Sequence, residues 1–276
     1  MAMDFIQVDQ AKCTRCGICA EVCPGVIGMG ENGPQVIRDL CVSCGQCVAV
    51  CPHGALDNAN APLDTQVARE PRLDIREEAA AQFLRSRRSV RNYRLQAVPR
   101  EAIRKVLDIA RLAPTACNSQ GVAYHVVDDP ATLRRITAAV IDWVEGELTN
   151  SPAMAASKYA PHTWMMVEIY RQSGEDTVLR SAPCLIVAIA DKDAALAGRD
   201  NTYLSLAYAQ LFATSMGLGT CWAGLFEYCA ASGYEPLMRL LNLPQDMRVT
   251  GGMMVGYPKY EYYRLVERNP LQVTWR

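Results

Sequence analysis

Residues 13–24 read C-T-R-C-G-I-C-A-E-V-C-P, and residues 41–52 read C-V-S-C-G-Q-C-V-A-V-C-P. Both stretches follow the pattern C-x2-C-x2-C-x3-C-P, so one unit occurs twice with every cysteine in register. Of the 12 cysteines in the chain, eight fall within these two stretches. Such a double run of four closely spaced thiols predicts iron–sulfur clusters in the N-terminal part of the chain.

The spacing also predicts which cysteines act together. Two residues between ligands let the chain wrap three corners of a cubic cluster, and Gly17 and Gly45 let the backbone approach it. The short helix after the third cysteine of each repeat carries the fourth cysteine to the other cluster. One [4Fe-4S] cluster is therefore assigned to Cys13, Cys16, Cys19 and Cys51. The other is assigned to Cys41, Cys44, Cys47 and Cys23.

Zinc sites and a disulfide framework are the alternatives for so many cysteines. Zinc ribbons use paired C-x2-C units rather than two runs of four, and no secretory signal is recognisable at the N-terminus. Residues 3–56 resemble the bacterial two-cluster ferredoxins. We therefore expect a reducing compartment, with the cytoplasm as the location.

The composition narrows the class of protein and the kinds of partner. Half of the 276 residues are hydrophobic and the formal net charge is −1, which is typical of a globular protein and argues against nucleic acid or an anionic membrane as partner. The longest apolar runs, such as residues 182–190, are too short to span a bilayer and are interpreted as core strands.

The chain is predicted to have two domains of the α+β class. Residues 1–56 form the ferredoxin-like domain, and residues 57–75, with two prolines and no periodicity, form a linker. Residues 76–276 form a second domain with a small mixed sheet covered by helices. Its helices are predicted at 77–86, 99–112, 131–147, 153–172 and 203–216. Its strands are predicted at 124–127, 184–190, 220–223 and 249–255.

The second domain lacks the usual nucleotide-binding motifs, since neither G-x-G-x-x-G after a strand nor G-x4-G-K-[ST] occurs. Four other segments stand in sequence. They read R-R-S-V-R-N-Y (87–93), A-P-T-A-C-N-S-Q (113–120), G-L-G-T-C-W-A-G (217–224) and V-G-Y-P-K followed by R-L-V-E-R-N-P-L (255–271). In this order they resemble the nitroreductase family of FMN enzymes over residues 76–276. The resemblance implies bound FMN and a homodimer with FMN at its interface.

The first segment suits a flavin by its chemistry. FMN carries a dianionic phosphate, and Arg87, Arg88 and Ser89 offer guanidinium and hydroxyl donors to it. Arg91 is predicted to face the N1 and O2 side of the ring, where it stabilises negative charge after reduction. The alternative interpretation is a solvated basic helix end.

The other segments take their roles from the resemblance. It implies that Pro114, Thr115, Ala116 and Asn118 contact FMN from the partner subunit, and that backbone amides near Ala223 and Gly224 face the flavin N5 and O4. The resemblance makes Arg268 a further phosphate ligand, with Arg264 as the competing candidate. Two departures from the family pattern are Gly121-Val122, where Pro-Trp is common, and Val266, where lysine is common.

The two modules together predict an oxidoreductase. Electrons are expected to pass singly through the clusters to FMN, which reduces a small electron-poor molecule such as a nitroaromatic, a quinone or an activated alkene. Arg91 and the Ala223–Gly224 backbone are then the catalytic groups, whereas His162 is interpreted as a packing residue. Two alternatives remain: NAD(P)H reduces FMN and the clusters deliver electrons to an external ferredoxin, or the chain is a non-enzymatic electron carrier.

Overall fold

The computed structural model describes residues 5–70, 75–193 and 198–276. The chain divides into two compact units. Unit 1 comprises Met1–Asp74 and Cys117–Ser119, and unit 2 comprises Ile75–Ala116 and Gln120–Arg276. The start of the predicted first domain and residues 71–74 of the predicted linker lie outside the described residues.

Unit 1 repeats one structural pattern, as its sequence does. Its elements are β1 (Ile6–Val8), α1 (Ile18–Val22), β2 (Ile27–Gly30), β3 (Gly33–Val36), α2 (Gln46–Ala49) and β4 (Leu56–Asn58). Strands β1 and β4 pair antiparallel, and β2 and β3 form a second antiparallel pair. Helices α1 and α2 both follow a left-handed glycine, Gly17 at φ 80° and Gly45 at φ 69°. A side chain is disfavoured at these angles, so the glycines set where both helices begin.

The segment that follows the second repeat has hydrogen bonds of its own between residues 57 and 66. Strand β4 continues to Asn58, whose backbone pairs with Ile6. The Asp57 carboxylate then accepts a hydrogen bond of 2.8 Å from the Leu63 amide, and the Gln66 side chain donates to the Ala61 carbonyl. The first part of the predicted linker therefore has regular contacts of its own.

Unit 2 contains eight helices and four strands among its described residues. The helices are α3 (Glu77–Ser86), α4 (Arg100–Ala110), α5 (Pro130–Asn150), α6 (Pro152–Ala155), α7 (Ala160–Ser173), α8 (Gly198–Ser215), α9 (Gly224–Ala231) and α10 (Glu235–Leu241). The strands are β5 (Ala123–Val127), β6 (Cys184–Asp191), β7 (Gly219–Trp222) and β8 (Met247–Gly256).

The four strands form one sheet in the order β5-β6-β8-β7, with every neighbouring pair antiparallel. The sheet was predicted to mix parallel and antiparallel pairing. Among the described residues, its parallel pairing is limited to one isolated bridge between Ser89 and Thr220, at the outer side of β7. Strand β6 is buried along Cys184–Ala190 because helices cover both faces of the sheet. This explains its uninterrupted apolar sequence.

The predicted α+β class is confirmed, and one predicted helix was wrong. The apolar pattern over 153–172 is divided between α6 and α7, with a turn at residues 156–159. Pro161 lies in the first turn of α7, where its missing N–H is tolerated, so the proline starts a new helix there. In the part of the chain that the structure describes, no helix has the length and apolar character needed to cross a bilayer.

Candidate cofactor sites

Four cysteines from both repeats surround one cavity in unit 1. Its lining includes Cys13, Cys16, Cys19 and Cys51, together with Gly17 and apolar side chains. This is the crossed set that the repeat predicts, with three thiols from the first repeat and one from the second. A set of four thiols around an apolar-walled cavity fits the ligand chemistry of a [4Fe-4S] cluster.

The surroundings of Cys23 include the other cysteines of the second predicted set. Burial raises the pKa of the Cys23 thiol, and the neighbouring thiolates of Cys47, Cys44 and Cys41 raise it further. These are the three cysteines assigned to the same cluster. Like charges brought this close favour protonation of a free thiol, and a bound cationic cluster core removes that repulsion.

Backbone amides already point at some of the sulfurs. The Ser43 N–H donates to Cys41 Sγ at 3.4 Å, and the Ala55 N–H donates to Cys51 Sγ at 3.2 Å. Burial favours a higher pKa for Cys51, but the amides of the turn that follows it prevail, so its pKa is lowered. Such donors stabilise the thiolate, which is the form that binds metal.

A zinc ion and an iron–sulfur cluster require different arrangements of the cysteine sulfurs. Among the residues that the structure describes, no group of three or more His, Cys, Asp or Glu side chains is arranged to hold a metal ion. A single zinc ion draws its sulfurs to about 2.3 Å from one centre, whereas an iron–sulfur cube spreads its four thiolates over separate corners. The two runs of four cysteines in the sequence predict the second arrangement.

A cavity of about 580 Å³ in unit 2 joins two distant parts of the chain. Its lining is Leu84, Arg85, Arg87, Arg88, Ser89, Arg91, Val266, Glu267 and Arg268. The predicted phosphate ligands of the first and last motifs therefore meet here. The competing candidate Arg264 is not among the described residues that line it.

The arginines of this cavity differ in how they are engaged. Arg85 forms an ion pair of 3.0 Å with Glu267, and Arg87 donates to the buried Gln210 side chain at 3.2 Å. Arg88 stacks on the Tyr262 ring, and its Nη1 atom is buried without a hydrogen-bond partner. A buried guanidinium nitrogen without a partner is costly, so an anionic oxygen is the group that this position lacks.

The arginine segment is held against the sheet edge. The Val90 N–H donates to the Thr220 carbonyl at 2.9 Å, and the Tyr93 hydroxyl donates to the Val90 carbonyl at 2.7 Å. Gly219 makes this approach possible, since a Cβ there would lie 2.7 Å from a methyl of Val90. Tertiary packing against β7 thereby orients Ser89 and Arg91.

The structure separates the roles of Ala223 and Gly224. The Ala223 N–H donates to the Gly252 carbonyl at 2.9 Å, so this amide is already used by the sheet. Gly224 is the first residue of α9, and a Cβ built on it would have no heavy atom within 4 Å. The Gly224 amide, at a helix N-terminus with open space beside it, is thus the better placed of the two to meet a ligand.

Glu227 is a residue of this region that the sequence motifs did not reveal. Its Oε1 atom accepts a hydrogen bond of 2.8 Å from the Gly252 N–H, and its own N–H donates to the Ala223 carbonyl. Burial raises the pKa of the Glu227 carboxyl, against the opposing effects of this hydrogen bond and of Arg199. The available signal was a lone charged residue in the otherwise apolar helix α9.

The residues of the second motif lie elsewhere. The Ala116 N–H donates to Asn201 Oδ1 at 3.0 Å, and the Thr115 hydroxyl accepts from the Gln120 N–H at 3.1 Å. Asn118 belongs to unit 1, where its side chain donates to the Val42 carbonyl at 2.9 Å. Pro114, Thr115, Ala116 and Asn118 are not among the described residues of the arginine cavity. His162 is exposed on α7.

Comparison with known proteins agrees with both units. Residues 84–257 match the nitroreductase family, and residues 12–56 match the 4Fe-4S dicluster domain. A relative from Thermus thermophilus, an NADH dehydrogenase, is 27% identical over 205 residues that cover 69% of this chain and 92% of that protein.

Two solved structures share the fold of about 70% of this chain at low sequence identity. A nitroreductase with bound FMN from Desulfitobacterium hafniense superposes with a TM-score of 0.55 at 18% identity, covering 70% of this chain and 97% of the other. Iodotyrosine deiodinase bound to FMN and 3-iodo-L-tyrosine also has a TM-score of 0.55, at 21% identity, covering 71% and 98%. The chain therefore belongs to the nitroreductase family of oxidoreductases and carries a 4Fe-4S domain at its N-terminal side.

Proposed function

We propose that this chain binds two [4Fe-4S] clusters and FMN, and that it passes electrons through the clusters to FMN for the reduction of a small electron-poor substrate. Nitroaromatics, quinones and activated alkenes are the substrate classes that this chemistry suits. The observation that supports the proposal is that one chain has a cavity lined by four cysteines, a further group of neighbouring cysteines around Cys23, and the arginine cavity.

The arginine cavity supports binding of the FMN phosphate. Five arginines line it against a single carboxylate, that of Glu267, so its field favours a dianion. Arg87 and Arg88 are the main phosphate ligands in this proposal, with Ser89 and Arg268 beside them. The unpartnered Arg88 Nη1 is the donor that would gain most from a phosphate oxygen.

Bound FMN would connect one-electron carriers with a two-electron substrate, because flavins exchange electrons singly or in pairs. Arg91 would provide positive charge for the pyrimidine edge of the ring, where negative charge develops on reduction. The Gly224 amide would donate to the N5 and O4 side of bound FMN, and the glycine leaves open space beside it. Ala223 acts through its backbone, by holding this turn to β8.

A homodimer with FMN at its interface is part of the proposal. The C-terminal residues 261–276 have no helix or strand, and they expose Tyr263, Leu271 and Trp275 at 87%, 88% and 89%. Apolar side chains exposed in this way are typical of a segment that packs against another subunit. Pro114, Thr115, Ala116 and Asn118 would then serve the partner subunit's FMN. Light scattering of the purified protein tests the dimer.

The opposite direction of electron flow is the second candidate. A relative of this chain is an NADH dehydrogenase, and its matched region covers 92% of that protein but 69% of this one. A nicotinamide that reduces FMN directly would make the clusters an exit toward a ferredoxin.

An anaerobic spectroscopic titration with NADH, NADPH and reduced ferredoxin, each offered separately, decides the direction. Under the proposal, reduced ferredoxin bleaches the clusters and the flavin together, and neither nicotinamide does so at a comparable rate. Bleaching of the flavin by a nicotinamide ahead of the clusters would support the second candidate instead.

A further inference from the structure

Asn58, at the end of β4, has a side-chain contact that the cysteine motifs do not account for. It is 1% exposed, and its Nδ2 atom lies 3.7 Å from Cys47 Sγ and 3.8 Å from Cys41 Sγ. Both sulfurs belong to the same crossed set. One buried amide group therefore has two N–H donors for two thiolates of one cluster.

The orientation of this amide is set by its other end. Asn58 Oδ1 accepts a hydrogen bond of 2.9 Å from the Asn60 N–H. Because that donor has to face an oxygen, the NH2 group is the end that faces the sulfurs. The backbone of Asn58 is also fixed, through its pairing with Ile6 in β1. The side chain is thus pre-organised for donation to sulfur.

The internal repeat gives this side-chain contact to only one of the two predicted clusters. Corresponding cysteines are 28 positions apart, so the position equivalent to Asn58 is Gly30, at the end of β2. Glycine has no side chain with which to donate a hydrogen bond. The cluster of Cys13, Cys16, Cys19 and Cys51 therefore has no counterpart of the Asn58 amide at this position.

We propose that Asn58 is a positioning and tuning residue for the cluster held by Cys41, Cys44, Cys47 and Cys23, where its N–H groups raise the reduction potential of that cluster alone. Reduction adds one electron to the cluster, and N–H donors to the sulfurs stabilise the added negative charge. The inference rests on the proposed binding of two clusters.

The test is an anaerobic redox titration of the full chain followed by electron paramagnetic resonance. The variants are Asn58→Leu, which removes both donors, and Asn58→Asp, which keeps the shape and adds negative charge. One cluster signal should move to lower potential in Asn58→Leu and further in Asn58→Asp, with the other unchanged. That signal must be the one lost in Cys44→Ser. Asn60→Ala, which keeps the backbone donor to Asn58, should leave both potentials unchanged.

Several outcomes contradict the role of Asn58. The role of Asn58 would be overturned if both variants kept unshifted potentials. It would also be overturned if both clusters shifted equally, or if both variants lost the cluster. Iron analysis of the wild-type protein keeps this failure apart from that of the proposed function. About four iron atoms per chain would overturn the two-cluster function, whereas about eight with unshifted potentials would overturn only the tuning by Asn58.

Discussion

The two units assemble their sites in different ways. In unit 1 the eight cysteines lie within one short stretch, and their spacing alone predicts two crossed sets, one of which lines the cavity of unit 1. In unit 2 the arginine cavity joins Arg87 and Arg88 with Arg268, near the far end of the chain. A cluster site can be encoded by local spacing because each ligand needs only a thiol and a turn. A phosphate cavity depends on how distant segments pack.

Loss of one cysteine ligand should have the largest effect on cofactor content, and this effect should be confined to unit 1. We expect Cys47→Ser to remove one cluster, so that the iron content falls by about half while the flavin content is retained. Iron analysis and the flavin absorbance of the same sample measure both. Cys117→Ser, a change at an exposed cysteine outside both sets, is the matched control. Unchanged iron in Cys47→Ser would contradict the ligand assignment.

Removal of two arginines tests the proposed phosphate site in unit 2. The double variant Arg87→Ala with Arg88→Ala should weaken FMN binding by roughly a hundredfold or more, because a hydrogen bond to a charged group contributes about 1.5–3 kcal/mol. The iron content should not change. Titration of the flavin-free protein with FMN gives the affinity.

The control removes the same charge from two exposed arginines, by Arg104→Ala in α4 with Arg111→Ala directly after it. FMN affinity equal to that of the wild type in the Arg87 and Arg88 variant would place the phosphate site elsewhere.

Two glycines near the proposed flavin site should respond differently to alanine. In Gly219→Ala the new Cβ would meet Val90 at 2.7–2.9 Å, so the arginine segment has to move. We expect a loss of about 1–3 kcal/mol and weaker FMN binding. Gly224→Ala meets no atom within 4 Å and should change stability by less than about 0.5 kcal/mol, yet lower FMN affinity. Urea midpoints and FMN titrations separate the two, and a neutral Gly219→Ala would argue against the close packing of Val90.

The smallest effect concerns Glu227 and pH. Its raised pKa means that the folded protein holds this proton more tightly than the unfolded chain does, so stability should fall as pH rises above about 4.5 and level off above the native pKa. Glu227→Gln keeps an oxygen acceptor for the Gly252 N–H but does not ionise. The melting temperature of the variant minus that of the wild type should therefore increase over this window. A difference independent of pH would show that Glu227 does not titrate there.

Regular elements were predictable where one periodicity continued over the whole element. The helix predicted at 77–86 has the observed bounds of α3, and the buried run at 184–190 is β6. The break between α6 and α7 was missed because the apolar residues keep the same pattern on both sides of residues 156–159. Helix α9 was missed because its sequence is apolar on nearly every side and has no helical period.

By itself the sequence determined the family of each unit and predicted the domain bounds and the crossed cysteine sets, since motif spacing and residue type are local properties. Only the tertiary structure decided that Arg268 rather than Arg264 joins the arginine cavity, that the Ala223 amide is used by the sheet, and that Asn58 and Glu227 have polar roles. These decisions depend on which buried donors and acceptors already have partners. Pairing of that kind arises between segments distant in sequence, so no local pattern encodes it.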